Sequence, residues 1–399
     1  PSFMPEAASD LSVTDGLLTV STTTLQGVAI LEIVVNDPDQ SNTDDDLGAI
    51  SVSVDGTSHD LTQASNGKWY AYVVDASQAK LFDHDSHGFE FGSLCENGLG
   101  VSHNTTTLIV GTSQDIYANT LSTYNGTSIV SGGCLDADNM IDTHDDAAGT
   151  TSRQDMTAAV LQNAPALSDP DSDAANLGQR GHGLNASGYG SWPYILAQDL
   201  NDDNVVEYGS DAVSVTYGNT DGETSIEMTN RNPADRAEIH LTFTDPALNI
   251  DPTTADVWLF DLSDNSGDAS ATTVIFNNNG TYSSGAVSTK NSALTAEELG
   301  QMGCVANCAL YSNNETYLGT GQNTVSQVIM TESGANTGVF DSFDVNGNGQ
   351  FETIAGATAD KQTIFYYGGN SIDMIITYND ATISMDAGGD WSPGQTATI

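Results

Sequence analysis

Oxygen ligands at alternate positions are the first chemistry this sequence offers. Asp344-Val-Asn346-Gly-Asn348-Gly349-Gln350-Phe351 puts Asp, Asn and Asn at positions 1, 3 and 5 of a loop and Gly at position 6. Calcium takes six to eight hard oxygens on a tight turn. This spacing turns three side chains toward one point and leaves the Gln350 carbonyl for position 7. Position 12 is Ala355, so a bidentate acid has to come from another segment. Asp199, Asn201 and Asp203 repeat the pattern, with Asn204 in place of the glycine and Glu207 beyond it. Asn tolerates the left-handed geometry that the turn needs. For both loops the competing reading is a metal-free Asx turn. Asp169, Asp171 and Asp173 alternate more weakly, and Asp136, Asp138, Asp142, His144, Asp145 and Asp146 read as a solvated acidic loop.

A second set of acids belongs to an internal repeat. Ala29-Ile-Leu-Glu-Ile-Val-Val-Asn-Asp37-Pro38 recurs as Ala237-Glu-Ile-His-Leu-Thr-Phe-Thr-Asp245-Pro246, offset by 208 residues. Each Asp-Pro opens a loop rich in Asp and Asn: Asp39, Asn42, Asp44, Asp45 and Asp46 in the first, Asn249, Asp251 and Asp256 in the second. Calcium held between domains is one reading of these loops, and a hydrogen-bonded Asx turn is the other. Trp391-Ser-Pro-Gly-Gln-Thr-Ala397 begins a third copy, with Ala397 where Ala29 and Ala237 stand. The chain also begins at Pro1, so it is expected to be a segment of something longer.

Other chemistries are thinner. His84 and His87, flanked by Asp83 and Asp85, offer a transition-metal pair, although a histidine pair in a loop is usually unliganded. No zinc-protease, Walker, nucleophile-elbow or dinucleotide motif occurs, and nothing in the sequence asks for an enzyme. Cys304 and Cys308 are close enough to bridge, and Cys95 with Cys134 would close a longer loop. Four cysteines allow three connectivities, of which local pairing is the simplest; four buried free thiols are the alternative. Glycosylation sequons stand at Asn104, Asn125, Asn185, Asn279 and Asn314.

The elements that would position these residues are strands. Leu17-Leu-Thr-Val-Ser-Thr, Ala49-Ile-Ser-Val-Ser-Val, Trp69-Tyr-Ala-Tyr-Val-Val, Ala212-Val-Ser-Val-Thr-Tyr and Glu238-Ile-His-Leu-Thr-Phe alternate with period two. This predicts an all-β chain of antiparallel sheets with one wet face. Two short helices are expected, over 153–163 and 296–302, each opened by a capping box. The repeat sets the expected domains: 1–210, with a long insertion over about 83–200; 211–371; and the start of a truncated third over 372–399.

Charge narrows the partners. Eight Lys and Arg against 54 Asp and Glu leave a net charge of −46. Nucleic acid and bare anionic lipid are repelled, and cations or basic surfaces are attracted. Spread evenly, this charge would be screened over a Debye length of about 8 Å, whereas clustered acids would not be. The longest apolar stretch, Val28 to Val35, is broken by Glu32, so no segment reads as a membrane span.

The strand-Asp-Pro loops, the segment Glu332-Ser-Gly-Ala-Asn-Thr-Gly-Val-Phe340 and Trp391-Ser-Pro-Gly-Gln-Thr-Ala resemble the surface-layer proteins of ammonia-oxidising archaea. The resemblance runs thinly along the chain and is missing from the insertion. It implies tandem immunoglobulin-like β-sandwiches in an extracellular, two-dimensional and hexagonal lattice, with bound calcium and glycans. It also implies acidic pores that pass cations such as ammonium. A structural S-layer subunit is therefore the expected function. A calcium-binding adhesin or filament subunit is the first alternative and a secreted hydrolase the second.

Overall fold

The computed structural model describes residues 16–82 except 46 and 49, 160–168, 193–262 except 219, 303–314, 317–320, 327–343, 349, 351–378 and 393. It also describes short strands within 93–94, 107–110, 123–124, 127–128, 273–277, 293–295 and 323–324. These residues form an all-β structure with one α-helix, α1 (Ala76–Phe82).

Strands of the first unit open with β1 (Leu18–Val20), β2 (Thr24–Leu25), β3 (Leu31–Val35), β4 (Ser51–Val54), β5 (Thr57–Asp60), β6 (Thr62–Gln63) and β7 (Trp69–Asp75). β8 (Ser93–Leu94), β9 (Thr107–Val110), β10 (Thr123–Tyr124), β11 (Thr127–Ser128), β12 (Tyr194–Gln198), β13 (Asp203–Tyr208) and β14 (Asp211–Tyr217) follow. One sheet has the order β1-β3-β7-β12-β9-β8, with β6 also on β7, and the other has the order β2-β14-β13-β4-β5. β10 and β11 form a hairpin of their own.

Alternation sorts the side chains. Leu31, Ile33 and Val35 of β3 and Trp69, Ala71 and Val73 of β7 meet Val52, Val54, Val206, Val213 and Val215 of the facing sheet. The outer sheet keeps its expected wet face, since Asp203, Val205 and Glu207 alternate outward along β13. The two-residue turn Asp55-Gly56 joins β4 to β5 with both residues at positive φ, +50° and +78°. That geometry matches strand twist and selects Asp-Gly.

The larger sheet departs from expectation in two ways. β7, β12, β9 and β8 run parallel, so the sheet is mixed. Strands from the insertion thus lie beside the repeat's own strands in one ladder. The sheet is also buried on both faces. Val28, Ile30, Tyr72, Val74, Ile195 and Ala197 belong to the core of the second unit, and every residue of β7 is buried. A strand covered on both sides reads as a continuous apolar run, which is why Val28–Val35 is so apolar.

α1 had no place in the sequence reading. Its signal is Asp75, whose Oδ1 accepts the backbone N–H groups of Ser77 and Gln78, both at 3.0 Å. Oδ2 accepts the N–H of Leu200 at 3.0 Å, tying the helix start to the chain beyond β12. Asp75→Ala is therefore expected to cost about 1–2 kcal/mol in urea unfolding, the value of a lost helix N-cap. Asp75→Asn, which keeps an acceptor, should recover most of it.

The second unit contains β15 (Ser225–Met228), β16 (Leu241–Thr244), β17 (Val257–Asp261), β18 (Thr273–Asn277), β19 (Ala293–Thr295), β20 (Tyr311–Ser312) and β21 (Leu318–Thr320). It ends with β22 (Asn323–Thr324), β23 (Gln327–Glu332), β24 (Val339–Asp341), β25 (Glu352–Thr353), β26 (Gln362–Tyr367) and β27 (Asn370–Ile375). Its large antiparallel sheet, β15-β16-β24-β23-β17-β18-β19, is accompanied by β20-β26-β27 and β22-β21-β25. Phe243 of β16 stacks on Tyr367 of β26, centroids 3.9 Å apart, and on Phe340 at 5.0 Å, and meets Phe260 edge-on at 5.8 Å. These rings fasten the small sheet to the large one.

Both boundaries move outward. β14 pairs with β13 and β2, so the first unit runs to Tyr217, and β27 carries the second past 371 to Ile375. Of the helix expected over 153–163, residues 160–163 are irregular, and Val160 and Leu161 are buried in the second unit's core. Residues 153–159 and the helix expected over 296–302 lie outside the described residues. Among the described residues, no helix is long and apolar enough to cross a membrane.

Candidate functional site

The two Asp-Pro loops are built alike. Each Asp caps a short 3-10 turn that Pro opens: Asp37 Oδ1 accepts from Asp39 N–H and Asp245 Oδ1 from Ala247 N–H, both at 2.9 Å. In each, the second carboxylate oxygen accepts a tyrosine hydroxyl from a distant hairpin. Tyr208 O–H donates to Asp37 Oδ2 at 2.8 Å, and Tyr367 O–H to Asp245 Oδ2 at 2.7 Å. In each, a tryptophan indole N–H closes the turn at the third residue after Asp. Trp69 donates to the Gln40 carbonyl at 2.7 Å and Trp258 to the Leu248 carbonyl at 3.0 Å. The hydrogen-bonded Asx turn is formed in both loops, and both oxygens of Asp37 and Asp245 meet protein donors.

Their surroundings differ. Asp39, Asn42, Asp44 and Asp45 are exposed. Asp245, Asn249, Asp251 and Asp256 are buried, because the second loop is pressed against the first unit. Ile30 N–H donates to the Ile250 carbonyl at 3.1 Å, Gln162 N–H to Asp251 Oδ2 at 2.9 Å, and Asn163 N–H to Thr253 Oγ1 at 3.0 Å. Gln26 reaches the Gly303 carbonyl and also accepts from Thr220.

This junction gathers four carboxylates that sequence reasoning did not assemble: Glu32, Asp251, Asp256 and Glu332. Burial pushes Glu32 up to about 7, partly offset by the Tyr72 hydroxyl, which donates at 2.9 Å. Burial raises Asp251 to about 6, against the lowering effect of hydrogen bonds from Thr253 and Gln162. Burial and the neighbouring Glu332 hold Asp256 well above the usual carboxylate range. Glu332 rises to about 7 by burial, although it accepts N–H groups of Thr337 at 2.7 Å, Gly338 at 2.9 Å and Asp256 at 3.1 Å. The Glu332–Phe340 motif therefore folds back on the Asp-Pro loop. Asp245 N–H donates to the Gly338 carbonyl at 2.8 Å. Gly338 has φ +60°, and a Cβ there would lie 3.3 Å from Pro246 Cα.

The remaining candidates fall apart or lie elsewhere. Asp199, Asn201, Asp203 and Glu207 are exposed, but Asp203 and Glu207 are in the extended strand β13 and Asn201 Nδ2 donates to Asp55 at 2.8 Å. Asn204 is extended and buried rather than left-handed. Its side chain accepts Asn201 N–H at 2.9 Å and donates to the Asn201 carbonyl at 2.6 Å, so Asn204 closes the turn with its side chain and not with the left-handed backbone expected of it. Asp344, Asn346, Asn348 and Gln350 lie outside the described residues, as do His84, His87, Cys95, Cys134, Asn104, Asn125, Asn185 and Asn279. Asn314 is half-buried, and its carbonyl accepts from Thr363 at 3.1 Å. Cys304 and Cys308 form the expected local disulfide.

Tyr208, Tyr367, Trp69 and Trp258 are the partners missed. A signal was present: Tyr208-Gly209 and Tyr367-Gly368 each end an alternating strand at a turn. No protein-family model and no curated protein matches the chain.

Proposed function

We propose that this chain is a structural, non-enzymatic subunit of an extracellular cell-surface lattice of the S-layer kind, built of sandwiches of immunoglobulin-like type. One observation carries the reading: the two β-units share a single apolar core, in which Ile30, Tyr72 and Val74 join Leu248, Ile250 and Trp258. Units joined by an apolar core move as one body, whereas polar interdomain contacts permit motion. A rigid tile suits a load-bearing array, and the net charge of −46 suits a surface that gathers cations and excludes anions.

In this reading calcium neutralises acidic loops, among them Asp37–Asp45 and the candidate set at Asp344–Gln350, so that like-charged copies can pack. Remaining carboxylates face the gaps and concentrate calcium, ammonium and other cations. The contacts are self-contacts, with a hexameric repeat as the expected arrangement.

Electron microscopy of the purified chain with calcium and after chelation tests this. Planar sheets that dissolve on chelation are expected. Fibres would favour the filament or adhesin reading instead, and a monomer that neither assembles nor takes up calcium by calorimetry would overturn the proposal.

A further inference from the structure

We infer that Cys304, Cys308 and Asp245 form a buried site for a thiophilic divalent cation of the zinc class when the two sulfurs are reduced. Both sulfur atoms and a carboxylate oxygen of Asp245 lie within 4.8 Å of one another, and all three residues are buried. Among the described residues no other His, Cys, Asp and Glu side chains converge in this way. Cys308 Sγ stands 3.5 Å from Asp245 Oδ2.

The ligand set decides the metal. Two thiolates and one carboxylate supply three anionic ligands, two of them soft, which favours zinc over the calcium expected of the oxygen-rich loops. Zinc–thiolate bonds run about 2.3 Å, so the sulfurs would have to separate from bonding distance while the backbone stays put. The two Cα atoms are 5.1 Å apart on a short loop, which side-chain rotation alone can serve. The carboxylate is already oriented. Ala247 N–H holds Oδ1, and the Tyr367 hydroxyl holds Oδ2 from within the aromatic core. Outer partners of this kind fix a ligand's direction and strengthen the metal bond.

The chemistry balances simply. A phosphine reductant and one water convert the disulfide to two thiols and a phosphine oxide. Binding of the divalent ion then releases the two thiol protons. The disulfide closes the 304–308 turn on itself, whereas the metal would also tie that turn to Asp245. That segment also meets the first unit, through Gly303 and Gln26.

The test uses the full chain carrying Cys95→Ser and Cys134→Ser, so that only these two thiols remain. After phosphine reduction, cobalt(II) is the probe. One equivalent should bind, with a sulfur-to-cobalt charge-transfer band in the near ultraviolet, and zinc should displace it. The oxidised chain should show no band. Asp245→Asn should weaken binding about tenfold or more, while a chain lacking only Asn249 (Asn249→Ala) should bind normally. Should reduction unfold the protein, refolding on zinc addition, followed by far-ultraviolet circular dichroism, carries the same expectation. Absence of the band and of zinc-driven refolding would overturn the inference, and so would unchanged affinity in Asp245→Asn.

Discussion

Acidification from about pH 8 to about pH 5 is expected to raise the melting temperature of this chain. Most proteins that lean on ionised, paired carboxylates lose stability over this range, so the direction is diagnostic. The sign follows from the junction. Glu32 and Glu332 are raised from 4.5 to about 7, and Asp251 from 3.8 to about 6. An acid that holds its proton more tightly when folded contributes stability fully below its unfolded value. That contribution is lost as pH rises through the folded value. The window is therefore about 4 to 7. Each group is worth roughly 3 kcal/mol at most, at about 1.4 kcal/mol per unit. Asp256 and Glu332 face each other and count as one titrating pair.

The surface charge pushes the same way, because acid also relieves repulsion among exposed carboxylates. Salt separates the two. At about 1 M the Debye length falls to roughly 3 Å, so the surface term fades and the buried term stays. Thermal melts across this range at high salt, on the parent chain and on Glu32→Gln, are the measurement. Glu32→Gln keeps an acceptor for Tyr72 and should flatten the pH slope by up to roughly 3 kcal/mol. A flat slope in the parent chain, or one unchanged in Glu32→Gln, would show that these acids are not charged at the junction's expense.

The sequence revealed strands in both sheets but not which of them are dry on both faces. β4, β14 and β16 alternate and were legible, whereas β13 was read as a loop of metal ligands. Trp69–Val74 was read as a strand with one wet face, but the second unit covers the other face of β7 and of the apolar β3. The Asp-Pro repeat was legible because Asp and Pro act within two residues. Its tyrosines were not, since they stand 171 and 122 residues from the acids they meet. The fate of the second loop was written locally and passed over. Ala247, Leu248 and Ile250 occupy places where the first loop carries Asp39, Gln40 and Asn42, and an apolar side chain in a turn has to be covered. The parallel ladder could not be read at all, because β12 finds β7 across the whole insertion.

Asp245→Ala is expected to cost about 3–5 kcal/mol, and Asp37→Ala about 0.5–1.5 kcal/mol, although the two residues cap the same turn. The difference is water. Removing the Asp245 carboxylate strands the Ala247 N–H and the Tyr367 hydroxyl, and both residues are 0 % exposed. Each buried donor left without an acceptor carries its full desolvation cost, about 1–3 kcal/mol. Removing Asp37 frees Asp39 N–H and the Tyr208 hydroxyl at the surface, where water replaces the lost acceptor. Tyr367→Phe and Tyr208→Phe should rank the same way, with smaller losses. Urea unfolding midpoints of the four variants, taken in chelator, measure this directly. Equal losses at the two positions would mean that the second loop is not sealed by the first unit. Repeating the set with calcium adds a second reading. If the exposed loop takes a metal beside its cap, the Asp37→Ala loss should grow with calcium while the Asp245→Ala loss stays fixed, because Asp39, Asp44 and Asp45 of the first loop are exposed and the second loop's acids are buried and already hydrogen-bonded.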